Sequence, residues 1–377
     1  MGVFNSKNFN SEVFLKYLET VPRERLVKLL NSGVLVRDTS YGKALSDETG
    51  GNYITKPLKG RLTGAPVNLD GETNITASTL GTFKQGVVAL GRANGFTELD
   101  FTESMTGHDF MSDVAVQLRG YWEDVNEGLL LSILKGAFAV ALANNVVDTQ
   151  KVVAVETLND AMTQVSGDLK DHFALAIMHS QVAKVLENQK LLEYFKYNDA
   201  NGIQRDLNIG TWNGRLAIVT DRCPSTVVPA QYQATADEDI VEGKTYYTKD
   251  GDVYTPVANP VKADIATYYE KVADAYTEYT SYVLGRGAIA YDELFVKVPV
   301  EMARDPFTKG GSETLISRER LVLAPYGVTF KQSAMSGNSP TDAELEDGAS
   351  WELVKDTNNN AINTKVLPFL AIITRSK

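Results

Sequence analysis

The chain has 377 residues with a formal net charge of −11; 43% of them are hydrophobic and 23% charged. Such a length and such an ordinary composition allow a substantial core and two or three domains, which argues against general disorder. The acidic balance argues against sequence-specific binding to nucleic acid, because the surface as a whole repels phosphate.

The opening stretch, MGVFNSKNFNSEVF, lacks the continuous apolar core of a secretory signal, and Cys223 is the single cysteine. Both features fit a cytosolic product without an intrachain disulfide. Ser11 to Asn31 reads as one or two short helices, with Pro22 at a helix start and Gly33 as the stop. Tyr53 to Leu69 and Thr73 to Val88 read as two extended arms joined at Asp70-Gly71, a dipeptide that supplies the positive φ of a tight hairpin. Each arm reaches about 50 Å at 3.3 Å per residue. A two-stranded ribbon with so few apolar residues cannot bury itself. It needs a surface, that of a neighbouring subunit or, in the plainer alternative, that of its own chain.

No proline lies between Pro66 and Pro224, so long helices are expected in the middle. Phe110 to about Leu142 sets Val114, Leu118, Tyr121, Trp122, Val125 and Leu129 at three- and four-residue steps, with Asp109 as a candidate cap. Such a helix runs roughly 50 Å. Its most apolar part, Leu129 to Ala143, is broken by Lys135 and Gly136 and falls short of the roughly 20 residues that cross a bilayer, so it reads as a buried helix end and not as a membrane span. A second helix is expected over Leu169 to Tyr194, turning Phe173, Ile177, Val182, Val185 and Leu186 inward. Composition then shifts: eight of the 17 tyrosines fall between Ser225 and Thr280, and TYY occurs at Thr245 to Tyr247 and again at Thr267 to Tyr269. With an Asp250-Gly251 turn this reads as a small β-rich insertion. Skipping it rejoins TDRCP, ending at Pro224, to YTSYVLGRGAIAYDE from Tyr279, two strand-like segments of one sheet.

Catalytic chemistry finds little footing. His108, His172 and His179 are the only histidines; the last two, seven apart near Asp168, share a helix face in the helical reading but lack a third metal ligand. Gly285-Arg286-Gly287-Ala288-Ile289-Ala290 resembles a dinucleotide fingerprint but runs into an extended segment where a phosphate-binding turn opens a helix, so a turn between strands is preferred. Cys223 has no histidine near it in sequence and precedes Pro224, which reads as a strand end. Acidic pairs such as Glu123-Asp124, and Asp237 to Asp239, read as solvated faces and turns. Lys56, Lys59 and Arg61 on the first ribbon arm are of more interest, since they would attract an acidic neighbour; exposed pairs contribute only about 0 to 1 kcal/mol each and would steer register.

The motifs and their order resemble tailed-bacteriophage major capsid proteins of the HK-ninety-seven-type fold. MTGHDFMSDVAVQLRGYWEDVNEGLLLSILKGAFA from Met105 is similar to the spine helix of one branch. AIMHSQVAKVLENQKLLEYF from Ala176 and IGTWNGRLAIVTDRCP from Ile209 resemble its next helix and strands, and SRERLVLAPYGVTFKQSAMSGNSPTDAELEDGASWELV from Ser317 its closing motif. The resemblance implies an α+β fold with an N-terminal arm (1–50), an extended E-loop (51–92), a P-domain with the spine helix (93–170 and 313–377) and an A-domain (171–224 and 281–312). Residues 225–280 would be an insertion domain.

It further implies a non-enzymatic shell subunit with no cofactor or metal, assembling as pentamers and hexamers around packaged double-stranded DNA without sequence specificity. An acidic chain suits that task, since a wall that gripped the polyanion would hinder its passage. A portal protein and a separate scaffolding protein would be partners, with assembly in the bacterial host cytoplasm and no membrane involved. No N-terminal scaffolding segment is expected before the fold, and no cross-linking lysine can be carried over to Lys56, Lys59 or Lys84. Lys56, Lys59, Arg61, Asp70 and Gly71 are the expected assembly-interface residues. The alternatives are an encapsulin-like cellular compartment, marked by enzyme cargo and absence of a tail, and a nucleotide-dependent enzyme built around Gly285 and Gly287.

Overall fold

The computed structural model describes residues 29, 32–45, 51–59, 66–70, 74, 82–100, 110–198, 204–237, 239–356 and 359–376. In chain order, β1 (Leu35–Arg37) leads to α1 (Ser40–Ala44), and the ribbon strands β2 (Tyr53–Lys59) and β3 (Thr82–Val88) are followed by β4 (Leu90–Leu99) and the spine helix α2 (Phe110–Ala139). Then come β5 (Val146–Asp148), α3 (Thr157–Ser166), β6 (Phe173–Met178), α4 (Ser180–Asn188), β7 (Leu192–Asn198), β8 (Gln204–Trp212), β9 (Arg215–Val219) and β10 (Ser225–Val228). The insertion contributes β11 (Gln231–Ala234), β12 (Tyr247–Asp250), β13 (Val253–Pro256) and β14 (Tyr269–Ala273). The chain closes with β15 (Tyr276–Gly285), β16 (Ile289–Glu293), β17 (Val300–Asp305), β18 (Ser312–Pro325), β19 (Val328–Phe330), α5 (Asp342–Glu346), β20 (Trp351–Leu353) and β21 (Phe369–Arg375).

Two sheets flank the spine helix. The first centres on β18, which takes β16 and β17 in succession along one edge and β4 along the other, with Leu90 opposite Leu321 and Leu99 opposite Ser312; β1 adds to β16. The second is eight-stranded, ordered β5-β21-β15-β6-β9-β8-β7 with β10 on β15. The carboxyl-terminal half of α2 lies between them. Leu130, Ile133, Leu134, Ala137 and Phe138 pack with Leu90, Tyr291, Leu321 and Leu323 of the first sheet, and with Leu175, Ile177, Tyr282, Leu284 and Phe369 of the second. Each fully buried leucine or phenylalanine there contributes roughly 2 kcal/mol. The amino-terminal half rests on the first sheet through Leu118 and Trp122 against Val300 and Leu315, and Trp122 Nε1 donates to Ser317 Oγ at 2.9 Å.

Alternation in the strands builds the outer layers. Ala176, Met178, Val283, Leu370 and Ile372 point away from α2 and are covered by Leu158 and Met162 of α3 and Val182 and Leu186 of α4. Val322 and Ala324 of β18 likewise point away from α2, toward Tyr41, Leu45, Val87 and Ala89 of α1 and the ribbon root. The stack therefore reads α3 and α4, second sheet, spine helix, first sheet, α1 with the ribbon root.

Several expectations are corrected. The spine helix ends at Ala139, three residues before Leu142. The helix expected over Leu169 to Tyr194 is instead a 3-10 turn, strand β6, the nine-residue α4 and strand β7. The run FALAIM is buried on both faces at the centre of a sheet, and a strand covered on both sides has no polar face to distinguish it from a buried helix. Helix α3, just before it, was not anticipated. Residues 225–228 and 276–280 belong to the host sheet, because β10 pairs with β15, Val228 opposite Tyr276; the insertion proper spans Gln231–Ala273, and its hairpin turn centres on Gly251-Asp252, with Gly251 at φ +58°. The sheets also cross the domain boundaries drawn from the resemblance. β5 and β21, from 93–170 and 313–377, share a sheet with β6 and β15; β17, from 281–312, pairs with β18; β1, from 1–50, pairs with β16. Strand pairing recruits segments far apart in sequence, so boundaries read linearly cut through sheets. The helical reading of Ser11 to Asn31 falls outside the described residues apart from Leu29, which is helical.

The glycines of α2 divide by what surrounds them. A Cβ on Gly136 would overlap the Leu345 carbonyl oxygen and lie 2.6 Å from Trp351 Nε1, whereas one on Gly120 meets nothing within 4 Å. Gly136→Ala is therefore expected to destabilise the unassembled chain by about 2 kcal/mol through overpacking, and Gly120→Ala to stabilise it by about 0.5 to 1 kcal/mol through helix propensity. The midpoints of urea unfolding should move in opposite directions.

Candidate assembly interface

The ribbon is built as expected in register. Tyr53 lies opposite Val88 and Lys59 opposite Thr82, so every pair is symmetric about the junction of residues 70 and 71. Its root is locked to its own chain. Gln85, 2% exposed, donates through Nε2 to the carbonyl oxygens of Pro325 at 2.6 Å and Val328 at 2.9 Å. Tyr53 Oη donates to Phe330 O at 3.0 Å, and Gly86 N donates to Thr329 Oγ1 at 3.3 Å. Gly86 is required for this approach, because a Cβ there would collide with the Tyr53 hydroxyl and sit 3.0 Å from Phe330 O.

A second latch ties the ribbon to the amino-terminal strap. Lys56 Nζ forms an ion pair with Asp38, donates to Ser40 Oγ at 3.2 Å and lies 4.6 Å from the centre of the Tyr41 ring. The ammonium and the Ser40 hydroxyl together hold the Asp38 carboxyl down at about 2, and burial pushes the Tyr41 phenol up to about 12. The strap is fixed in turn to the first sheet by the buried Asp292, which accepts from Gly42 N at 2.7 Å and faces Arg37 at 3.7 Å.

Residues 66–70 are all exposed, Leu69 at 87%. Two apolar side chains stand in this stretch, Leu69 and the less exposed Val67.

Comparison with known proteins gives this arrangement a context. No family model matches the chain. The major capsid protein of Bacillus phage SPP1 is 25% identical over 353 residues, 92% of each chain. The chain is thus similar to a phage major capsid protein over nearly its whole length. Among solved structures, the capsid of Ralstonia phage GP4 has the same fold, with a TM-score of 0.51 at 11% identity over 91% of this chain and 87% of that one. The head structure of Helicobacter pylori bacteriophage KHP40 has a TM-score of 0.45 at 12% identity, over 91% and 86%. The chain thus has an α+β fold of the HK-ninety-seven type, the fold of the Ralstonia phage capsid.

Of the residues expected at the interface, the structure places Lys56 inside the chain's own latch, with Lys59 and Asp70 exposed; Arg61 and Gly71 lie outside the described residues. Gln85, Tyr53, Gly86 and Asp38 escaped the sequence reading. A glutamine-glycine pair inside the run TFKQGVVAL was the available signal, since both residues are out of keeping with a plain strand. The other candidates have structural roles. His172 and His179 sit at opposite ends of β6, and His179 caps α4 by accepting from Gln181 N at 3.1 Å through Nδ1. Cys223 is buried, which pushes its thiol up to about 12 and away from nucleophilic use. The Gly285 turn links β15 to β16 with no helix after it. Among the described residues no cluster of three metal ligands occurs, and no helix is long and apolar enough to cross a membrane.

Replacing Gln85 by Met keeps the volume but leaves two buried carbonyls unpaired, and is expected to cost about 2 kcal/mol in chemical denaturation. The Asp38 contact has a pH signature. Its carboxyl is depressed from 3.8 to about 2, so its stabilisation is full above about pH 4 and disappears as pH falls through about 2. Asp38→Asn should lower stability by about 1 kcal/mol at pH 7, with the difference from the native chain closing between those two pH values in urea titrations.

Proposed function

We propose that the chain is a major capsid protein that forms the pentamers and hexamers of an icosahedral head, with the distal half of each ribbon seated on a neighbouring copy. The observation that carries this reading is the contrast within one hairpin: a root fastened by buried hydrogen bonds, and a tip region, residues 66–70, that is bare. Between the last described pair, Lys59 and Thr82, and the symmetry point there are about eleven residues on each arm, enough for roughly 36 Å of extended chain. A rigid root aims such an arm; an exposed Leu69 and the cations Lys59 and Arg61 give it something to bind with. Many modest contacts of this kind, repeated by symmetry, sum to a stable shell while each remains reversible during assembly.

The role is that of a shell subunit, and the relative named a major capsid protein supports it. A portal protein, a separate scaffolding protein and double-stranded DNA held without sequence specificity are the partners such a head requires, with assembly in the bacterial host cytoplasm. The net charge of −11 is compatible with a wall that does not grip DNA.

Expression of the chain, alone and with its phage's scaffolding protein, should yield closed particles of uniform diameter in electron micrographs. Asp70→Val with Gly71→Val, which replaces the Asp-Gly pair by two β-branched residues that disfavour a turn, should abolish particles while leaving the circular dichroism and unfolding midpoint of the unassembled chain within error of the native ones. An unfolded variant chain would show instead that the tip belongs to the subunit's own core.

A further inference from the structure

The four strands of the insertion, β11 to β14, have one face that their own small core does not use. Alternation turns one tyrosine from each strand, Tyr232, Tyr247, Tyr254 and Tyr269, to the side opposite the buried Tyr246 and Tyr268. The rings meet there. Tyr232 lies on Tyr254 at 4.0 Å with 8° between their planes, Tyr247 stands edge-on to Tyr232 at 4.9 Å, and Tyr269 stands edge-on to Tyr254 at 5.3 Å. All four are half-buried.

The same alternation brings two cations to this face: Lys249, two residues after Tyr247, and Lys271, two after Tyr269, both exposed. Lys249 Nζ lies 5.7 Å from the centre of the Tyr254 ring, and Lys271, ion-paired with Asp274, is within electrostatic reach of Tyr247 and Tyr232. The carboxylates of the strands, Asp250 and Glu270, fall on the other side, where Glu270 meets Lys244 at 2.9 Å. Gln231–Ala273 has four lysines against eight acids, yet half of those lysines stand beside the tyrosines and no strand carboxylate does. An acidic module with one cationic face is suited to an anionic ligand.

The hydroxyls say more about its chemistry. Those of Tyr246 and Tyr268 hold the covering loops, whereas no hydrogen bond among the described residues reaches those of Tyr232, Tyr247, Tyr254 and Tyr269. Each of the four can both donate and accept. A nucleobase needs a ring face to stack on, and Tyr232 and Tyr254 cover each other while Lys249 lies over Tyr254. What the cluster offers is ring edges, hydroxyls and ammonium groups, which match a ring bordered by hydroxyls and carrying an acid group.

From the four tyrosines, their unused hydroxyls and the two lysines on one sheet face, we infer that this face of the insertion binds an acidic saccharide. Hydroxyls of the sugar pair with the phenols, and its carboxylate or phosphate is met by Lys249. The face lies in a module whose strand pairings are all internal, so this binding is separate from shell formation, and failure of either reading leaves the other untouched.

Calorimetric titration of the full-length, unassembled chain with tetragalacturonic acid tests it, with cellotetraose as the neutral sugar and a thymidine tetranucleotide as the nucleic acid. Tetragalacturonic acid should saturate the chain below about 10 mM, and the other two should bind at least about fivefold more weakly. Tyr247→Phe combined with Tyr269→Phe keeps the rings and removes two hydroxyls, and should weaken tetragalacturonic acid about fivefold or more. Lys249→Glu, at an exposed position, should weaken it by about fivefold and bring it level with cellotetraose. It remains informative if the double variant loses its native circular dichroism. Absence of saturation by tetragalacturonic acid would overturn the proposal, as would an affinity unchanged by Lys249→Glu or tighter binding of the tetranucleotide.

Discussion

The burial of one helix end against two sheets at once is the constraint on which the rest of the subunit depends. Leu130 to Phe138 contribute side chains to both, so neither sheet has a complete core without the other and α2 holds them in register. Phe138 anchors the second sheet, its ring lying 5.4 Å from that of Tyr282 and 6.4 Å from that of Phe369. The segment from Thr341 to Trp351 clamps the arrangement from outside. A Thr341/Glu344 capping box starts α5, Trp351 Nε1 donates to Leu345 O at 2.8 Å, and the absent side chain of Gly136 lets that carbonyl approach the spine. The apparent flaw in the helix, Lys135-Gly136, is thereby explained: Gly136 admits α5, and Lys135 meets Glu346 at 2.5 Å.

With the two sheets fixed, the ribbon root acquires a rigid mounting. The turn from Pro325 to Val328 follows β18, the strand common to most of the first sheet, and it is to this turn that Gln85 donates twice. Gln85 and Lys56 are among the contacts through which strain or motion at the tip reaches the rest of the subunit. A subunit that has to find neighbours gains from such a division: a stiff root lowers the entropy lost when the tip is captured, while the tip keeps its apolar side chains available. The salt link at Lys56 contributes little energy for its exposure. Its value lies in coupling the ribbon to the strap that carries Asp38 and Tyr41.

How far the sequence discloses this follows from which signals have a physical basis in one segment. The spine helix was legible because its apolar steps persist over 30 residues, far beyond chance, and the ribbon because Asp70-Gly71 sits at the centre of two extended runs. The strand Phe173–Met178 was not, since burial on both faces erases the alternation that marks a strand. The latch was hidden for a different reason. A buried Gln85 makes sense only once Pro325 and Val328, 240 residues away and more, are placed beside it, and Lys56, read as a cation reaching for a neighbour, is claimed first by Asp38 of its own chain.

The insertion shows how a shell subunit can gain a module without disturbing this mechanism. Its entry and exit, Val228 and Tyr276, are paired partners on adjacent strands of the host sheet, so the host needs no more than a hairpin connection there. All strand pairings of the four-stranded module are internal. Lacking the length for a large core, it uses tyrosines on both faces. The first tyrosine of each TYY, Tyr246 or Tyr268, goes under the sheet, where its hydroxyl accepts from the backbone N–H of Val241 or Val261 and pins the loop that covers it. The second, Tyr247 or Tyr269, joins Tyr232 and Tyr254 on the other face, where the Tyr232 and Tyr254 rings stack at 4.0 Å although their strands stand at opposite ends of the sheet order. The sheet must curl strongly for that stack to form. Phenylalanine would supply the area but not the hydroxyls that hold the covering loops, which is why the aromatic excess of this segment is tyrosine.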